Sequence, residues 1–203
     1  MAGSAEEYDI DLQTVIKALN VLMNVSANDD LAVRIGQMPG CIDTLSRLQA
    51  HKHAPLAVLA ARCLINLTHS NPAAASAADK AGALNTATIW LLSVSSTAQS
   101  QARIKLGCWL LGNLATAPDA TCRAKLLGAP GVIQRLVELL TPGSPEAIIV
   151  LSAQLLSSLA RESYTAQTLL AKAGAVGALM QLVEAHSGSC LEDGPSQATL
   201  KCK

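Results

Sequence analysis

The sequence predicts an all-α protein built as a right-handed solenoid of stacked helical repeats, and three observations carry that expectation. Half of the 203 residues are apolar, but the apolar half is aliphatic, with no Phe and only two Trp and two Tyr. Closely packed helices use such side chains, and Ala and Leu are the best helix formers. A glycine-centred word recurs: "MPGCIDTL" at Gly40, "KAGAL" at Gly82, "GAPGVIQRLVELL" at Gly131 and "KAGAV" at Gly174, spaced by 42, 49 and 43 residues. A second word precedes each glycine: "LMNVS" at Asn24, "LINLT" at Asn66, "LGNLA" at Asn113 and "LSSLA" at Ser158, offset by 16 residues in three copies and 18 in the third. Two independent words on one period of 40 to 50 residues, without alternating strand patterns, mean stacked helical units.

These words order the elements. After an acidic leader over residues 1–9, Ile10–Ala27 reads as a lone third helix. Complete three-helix units follow at Leu31–Thr68, Ala73–Ala115 and Asp119–Ala160, and a last pair, Thr165–Ala173 and Gly174–Ala185, lacks its third helix, giving about eleven helices. Gly82 and Gly174 fit a tight turn between first and second helices, where a positive φ is required. Ile133, Leu136, Val137, Leu139 and Leu140 keep the spacing of a helix with a wide apolar face. Pro55, Pro142 and Pro145 fall before third helices, where proline is tolerated in a first turn but not in an interior. The repeat domain spans 10–186. The segment 187–203, "SGSCLEDGPSQATLKCK", leaves the pattern and has the composition of a disordered tail. An incomplete last unit leaves Leu179, Leu182 and Val183 partly uncovered, so an end-to-end contact there, with further repeats or with a partner, is expected.

The pattern LxNL(A/T/S), a polar stretch, a short helix and G(A/x)(L/I/V)xx(L/A)(V/M)xLL resembles the armadillo repeat over about Ile10 to Ala185. In that family the third helices line the concave face, where a WxxxN pair binds extended peptides. The Asn amide pairs with the ligand backbone, and the Trp walls a slot for a side chain. Trp and Asn one helical turn apart lie on the same face, and an Asn amide both donates and accepts.

Carried over by position, the motif's Asn is matched by Asn24, Asn66 and Asn113 and departs to Ser158, while its Trp is matched by Trp109 alone, with Asn20, Arg62 and Gln154 at the equivalent places. Lys17, Val58, Lys105 and Val150 lie one turn earlier. The implied groove is an asparagine ladder (Asn24, Asn66, Asn113) with Trp109 and, at the equivalent place, Asn20, flanked by Lys17, Arg62 and Lys105 and without carboxylates. Importin-α-like receptors repeat the pair and place acidic residues beside it for basic signals. This chain looks more like the β-catenin and plakophilin type, whose basic grooves hold acidic segments, so the expected partner is an acidic extended peptide of about ten residues. The alternative for the asparagines is a bond to the neighbouring repeat that fixes the stacking, and for Trp109 simple packing.

Zero net charge argues against a general nucleic-acid binder. Locally, Glu6, Glu7, Asp9 and Asp11 make the start acidic, whereas Arg103, Lys105, Arg123, Lys125 and Arg135 face Asp119 alone. Six cysteines without a CxxC pair read as small buried hydrophobes in a reducing compartment. The acidic N-terminus lacks the apolar segment of a signal peptide, and the apolar runs are too short to insert in a bilayer, which points to a cytoplasmic or nuclear location, including a cytoskeleton-associated one. His51 and His53 form an HxH without a third ligand at metal spacing and read as solvated, and phosphate loops and a nucleophile elbow are absent from the sequence. The sequence therefore implies a non-catalytic interaction scaffold without cofactor or metal. The other readings are a module of a cytoskeletal, ciliary or trafficking assembly that docks through its ends or convex face, and a small-GTPase regulator.

Overall fold

Gly40, Gly82, Gly131 and Gly174 have φ of 74°, 88°, 78° and 85°. All four stand at the N-cap of a second helix, where the chain turns sharply out of the first. Residues with a Cβ avoid this left-handed region, which is why glycine marks the period. The computed structural model describes residues 3–117, 120–161 and 163–191, with side chains from 11 to 185 outside the same gaps. Twelve helices and no strand are found among them.

The first helix, α1 (Gly3–Val25), is followed by α2 (Asp29–Gly36), α3 (Cys41–Gln49) and α4 (Ala54–Thr68). The next unit is α5 (Pro72–Lys80), α6 (Ala83–Leu91) and α7 (Ala98–Ala115). The third is α8 (Thr121–Gly128), α9 (Val132–Leu139) and α10 (Glu146–Ala160), and α11 (Tyr164–Lys172) and α12 (Ala175–Leu191) close the series. The three complete units and the unpaired ends fall where the repeated words place them.

Both boundaries of the repeat domain shift outward. α1 begins at Gly3 rather than Ile10, so most of the acidic leader is helix. Acidic residues near a helix N-terminus are favoured by the macrodipole, and a charge count alone does not separate such a turn from an irregular leader. α12 runs through Leu191, past the expected end at 186, and the rest of the expected tail, 192–203, lies outside the described residues.

The starts of four helices are capped by side chains the period does not show. Asn28, Asn71, Thr97 and Ser163 each accept a hydrogen bond from the main-chain N–H three residues on, opening α2, α5, α7 and α11. Each such cap is worth about 1 kcal/mol.

The long helices form one layer in the order α1, α4, α7, α10, each packed against the next. Their buried faces are leucine-rich: Leu64, Leu67, Leu110, Leu111, Leu114, Leu155 and Leu159 are fully buried and belong to one continuous core. Each contributes about 1.5–3 kcal/mol by leaving water. α7 approaches α6 closely at Gly107, where a Cβ would stand 2.8 Å from the Ala87 carbonyl oxygen.

The basic stretch from Arg103 to Arg135 is divided among tasks. Arg103 lies over the buried Trp90 ring at 5.6 Å. Lys125 pairs with Asp79 at 2.7 Å across two first helices. Arg135 donates to the Leu91 and Ser93 carbonyls at the end of α6 and pairs with Glu138. The Lys125 contact and the Arg135 bonds to the end of α6 tie neighbouring repeats, and the Arg103 contact lies within one repeat. Of this group Lys105 lines a pocket on the layer of long helices.

Candidate functional site: the face of the long helices

Two adjoining pockets open on the layer of long helices. The first, about 370 Å³, is lined by Met23 of α1, Val58, Arg62, Ile65 and Asn66 of α4, and Ala102, Lys105, Leu106 and Trp109 of α7. Four of the eight expected site residues therefore meet here, with two cations over an apolar floor and no carboxylate among the described lining residues. α4 and α7 contain no Asp or Glu at all. Trp109 is 42% exposed, unlike Trp90 at 7%, so a large part of its surface is offered to the groove, whereas Trp90 belongs to the core.

The second pocket, about 600 Å³, lies between α7 and α10. Trp109, Gly112, Asn113 and Thr116 form one side, and Val150, Leu151, Gln154, Ser157, Ser158 and Arg161 the other, with His69 at one end. Trp109 thus borders both pockets and Asn113 the second. Lys17, Asn20 and Asn24 line neither: Lys17 and Asn24 are exposed on α1, and Asn20 donates its amide to the Ile16 carbonyl of its own helix at 2.9 Å.

Two of the expected asparagines, Asn66 and Asn113, take equivalent places on α4 and α7, and their donors point into the protein. Asn66 Nδ2 donates to the Met23 carbonyl and to Ser26 Oγ, both at 3.1 Å. Asn113 Nδ2 donates to the Ile65 carbonyl at 2.9 Å and Thr68 Oγ1 at 3.2 Å. Both N–H groups of each amide are engaged by the preceding long helix, so these residues fix the stacking. Toward a ligand they offer the carboxamide oxygen as an acceptor.

The ladder stops at the third step. Ser158 replaces Asn and bonds to the Gln154 carbonyl of its own helix at 3.0 Å, and Ala115 stands where Ser26 and Thr68 supply the hydroxyl. Gly112 stands where Met23 and Ile65 stand in the preceding copies. A Cβ on Gly112 would meet no atom within 4 Å. A glycine inside a helix costs about 0.5–1 kcal/mol relative to alanine, and packing gives no reason for this one. Gly112 and Ser158, two small residues, line the larger second pocket, and Ala115 lies buried beside it. Sequence reasoning missed Gly112, Arg161 and His69; the signal for the first was a helix-interior glycine in "LLGNLA" beside a Trp and an Asn.

Burial makes Cys63 and Cys108 poor nucleophiles. Cys41, Cys63, Cys108 and Cys122 are free thiols, and burial pushes the Cys63 thiol up to about 12 and that of Cys108 to about 11. His51 and His53 are half-buried rather than solvated, because the short loop between α3 and α4 folds onto the repeat and His51 Nδ1 accepts the His53 main-chain N–H at 3.1 Å. Among the described residues no group of three or more His, Cys, Asp or Glu is placed to hold a metal ion. No single helix among them is long and apolar enough to cross a membrane.

No family model and no curated protein matches the sequence. The fold has clear counterparts among solved structures. A designed armadillo repeat protein in complex with the peptide (KR)4 superposes with a TM-score of 0.72 at 22% identity, over 86% of this chain and 70% of that one. The chain has the armadillo-repeat fold. A computationally designed armadillo repeat protein for modular peptide recognition gives 0.71 at 21% identity, over 85% and 69%, and an engineered protein gives 0.70 at 24%, over 85% and 68%. The armadillo layer of third helices is thus the layer α1, α4, α7, α10, and both pockets lie on it.

Proposed function

We propose that this armadillo-repeat protein is a non-catalytic scaffold that binds an extended, acidic segment of a protein partner along the face of α4, α7 and α10. The observation that carries this reading is the first pocket, where Arg62 and Lys105 flank Trp109 over an apolar floor with no carboxylate among the described lining residues. A neighbour of the same fold holds a basic peptide, (KR)4. The charge on this groove has the sign that attracts the opposite kind of ligand. Coulomb attraction steers an acidic segment and fixes its register, while the half-exposed indole and its apolar surroundings supply desolvation energy on contact.

The test is binding of synthetic acidic decapeptides, followed by fluorescence polarisation at several salt concentrations. Affinity falls as salt rises, and reversal of both cations, Arg62→Glu with Lys105→Glu, transfers preference to basic decapeptides. Equal affinity of the wild type for acidic and basic decapeptides, or an unchanged preference in the reversed variant, refutes the acidic ligand.

One observation favours a second reading, contact through the end of the array. Val176, Met180 and Val183 are 60%, 52% and 60% exposed along one stripe of α12, joined by Leu169 and Leu179. Such a stripe suits an assembly partner. It coexists with the groove, because it lies on a different unit.

A further inference from the structure

The geometry points to the pocket between α7 and α10 as a second side-chain subsite, which takes one tyrosine-like aromatic residue of the bound segment. This rests on the proposed peptide groove and adds to it a specificity that the acidic reading does not contain. Two positions that line this pocket are smaller than their counterparts at the preceding steps, Gly112 for Met23 and Ile65 and Ser158 for Asn66 and Asn113, and a third, the buried Ala115, lacks the hydroxyl of Ser26 and Thr68. The hydrogen bonds that close the preceding steps are lost with them, and the volume rises from about 370 to about 600 Å³. Replacing Gly112 by alanine would meet no steric obstacle, so the open floor is not required by helix packing. A floor without a side chain lets a planar group come close to the backbone.

The walls select the occupant. The exposed faces of Trp109 and Val150, 42% and 48% accessible, are apolar and stand on opposite sides. Gln154, Ser157, Ser158 and Thr116 supply hydrogen-bonding groups at the rim, and Arg161 and His69 stand beside them with no carboxylate among the described lining residues. A lysine or arginine would bring like charge to Arg161. An aliphatic side chain would make no use of the rim, where the Ser158 and Thr116 hydroxyls donate to the Gln154 and Asn113 carbonyls and keep their oxygens as acceptors. A phenol satisfies both halves: its ring lies against the indole in an offset or edge-on arrangement, and its hydroxyl reaches the rim. Third helices about 10 Å apart and an extended chain that advances about 3.3 Å per residue place this aromatic about three residues from the acidic residue held by Arg62 and Lys105.

Two measurements test the subsite. In the first, acidic decapeptides carrying a single Tyr scanned along their length are compared with the same peptides carrying Ala. One position shows about tenfold tighter binding for Tyr, as a buried hot-spot aromatic gives. Gly112→Leu, which restores a side chain at the floor and favours the helix, brings that Tyr-to-Ala ratio to about one. In the second, N-acetyl-tyrosine amide is titrated while the Trp109 indole N–H is followed by NMR. The resonance moves in the wild type and stays fixed in Gly112→Leu, whose fold is verified by its circular dichroism. A Tyr-to-Ala ratio near one at every position, or the same ratio in Gly112→Leu, overturns the subsite while leaving the acidic groove standing. Absence of any acidic decapeptide binding refutes the groove instead, and the N-acetyl-tyrosine amide titration then decides the subsite alone, with no indole shift overturning it.

Discussion

Asn113 donates its side-chain N–H to the main-chain oxygen of Ile65 at 2.9 Å, 48 residues earlier in the chain, and the same amide reaches Thr68 Oγ1 at 3.2 Å. Asn66 makes the same pair of bonds to Met23 and Ser26. The residue that gives the repeat its recognisable word is thus the clasp between successive long helices. Removing the clasp takes away both of its hydrogen bonds at a half-buried place, while the Ile65 carbonyl keeps the His69 main-chain N–H. Asn113→Ala and Asn66→Ala are each expected to lower the stability by about 1–3 kcal/mol, and Asn113→Asp by at least as much, since it turns a carboxylate oxygen toward the Ile65 carbonyl. Urea denaturation checks this, and midpoints unchanged in all three variants would remove the clasp.

The missing third rung predicts a gain. Ala115→Thr with Ser158→Asn rebuilds both halves of the bond pair between α7 and α10, which neither substitution does alone. The double variant is expected to exceed the sum of the singles by about 0.5–1.5 kcal/mol, the net worth of a hydrogen bond. A double-mutant cycle in urea measures it, and an additive pair would mean that the α7–α10 spacing is too wide for the bond. The same variant narrows the second pocket.

The period was legible because each of its words has a steric or hydrogen-bonding cause that does not depend on distant residues. Gly40, Gly82, Gly131 and Gly174 must adopt a positive φ, and the leucine spacing follows from helical geometry. The groove was legible in part. Trp109, Arg62, Lys105 and Asn66 share one face because residues one turn apart in equivalent helices align when repeats stack. What spacing could not give was direction across the stack: the Asn66 and Asn113 amides choose between a ligand and the preceding helix according to inter-helix distance. Neither could it show that α1 turns Lys17, Asn20 and Asn24 away from the pockets and contributes Met23, a residue with no motif to mark it.

The two tryptophans should separate stability from binding. Trp90 is buried at 7% exposure, and Trp90→Ala is expected to cost about 3–5 kcal/mol. Trp109 keeps 42% of its surface in water, so Trp109→Ala should cost no more than about 1–2 kcal/mol. Binding of an acidic decapeptide falls in this variant by about tenfold or more. A Trp109→Ala protein as unstable as Trp90→Ala, with binding intact once folding is corrected for, would place the indole in the core and not in the slot.

Alkaline pH should loosen the fold through its thiols. Burial raises the Cys63 thiol to about 12 and that of Cys108 to about 11 from an ordinary 9.0. A raised folded-state value means that the native protein keeps its protons while the unfolded chain loses them. The associated stability is therefore complete below pH 9 and declines as pH rises from there through 11 to 12. Each thiol contributes a slope of about 1.4 kcal/mol per pH unit within its window. Urea midpoints between pH 8 and 11 measure the decline, and Cys63→Ala with Cys108→Ala should flatten it. An equal slope in the double variant would assign the alkaline loss to other groups.

Two glycines five residues apart on α7 should respond to alanine with opposite signs. At Gly107 a Cβ would lie 2.8 Å from the Ala87 carbonyl oxygen and 3.4 Å from the Leu91 nitrogen, both backbone atoms that cannot rotate away. Relief requires α7 to move off α6, where the two helices bury Trp90, Leu91, Cys108 and Leu111. The gain in helix propensity is about 1 kcal/mol, and the overpacking penalty of about 1–3 kcal/mol outweighs it. Gly107→Ala is therefore destabilising. At Gly112 the same substitution meets no atom within 4 Å, so the propensity gain stands alone and Gly112→Ala raises stability by about 0.5–1 kcal/mol. Thermal melts of the two variants decide both points at once, since a shift of 1 kcal/mol moves the midpoint of a protein this size by about 2–4 °C. Stabilisation at Gly107 would mean that α6 and α7 are not in close contact. Destabilisation at Gly112 would mean that the glycine serves the packing of α10, which would take away the reason for reading its empty floor as a place for a ligand.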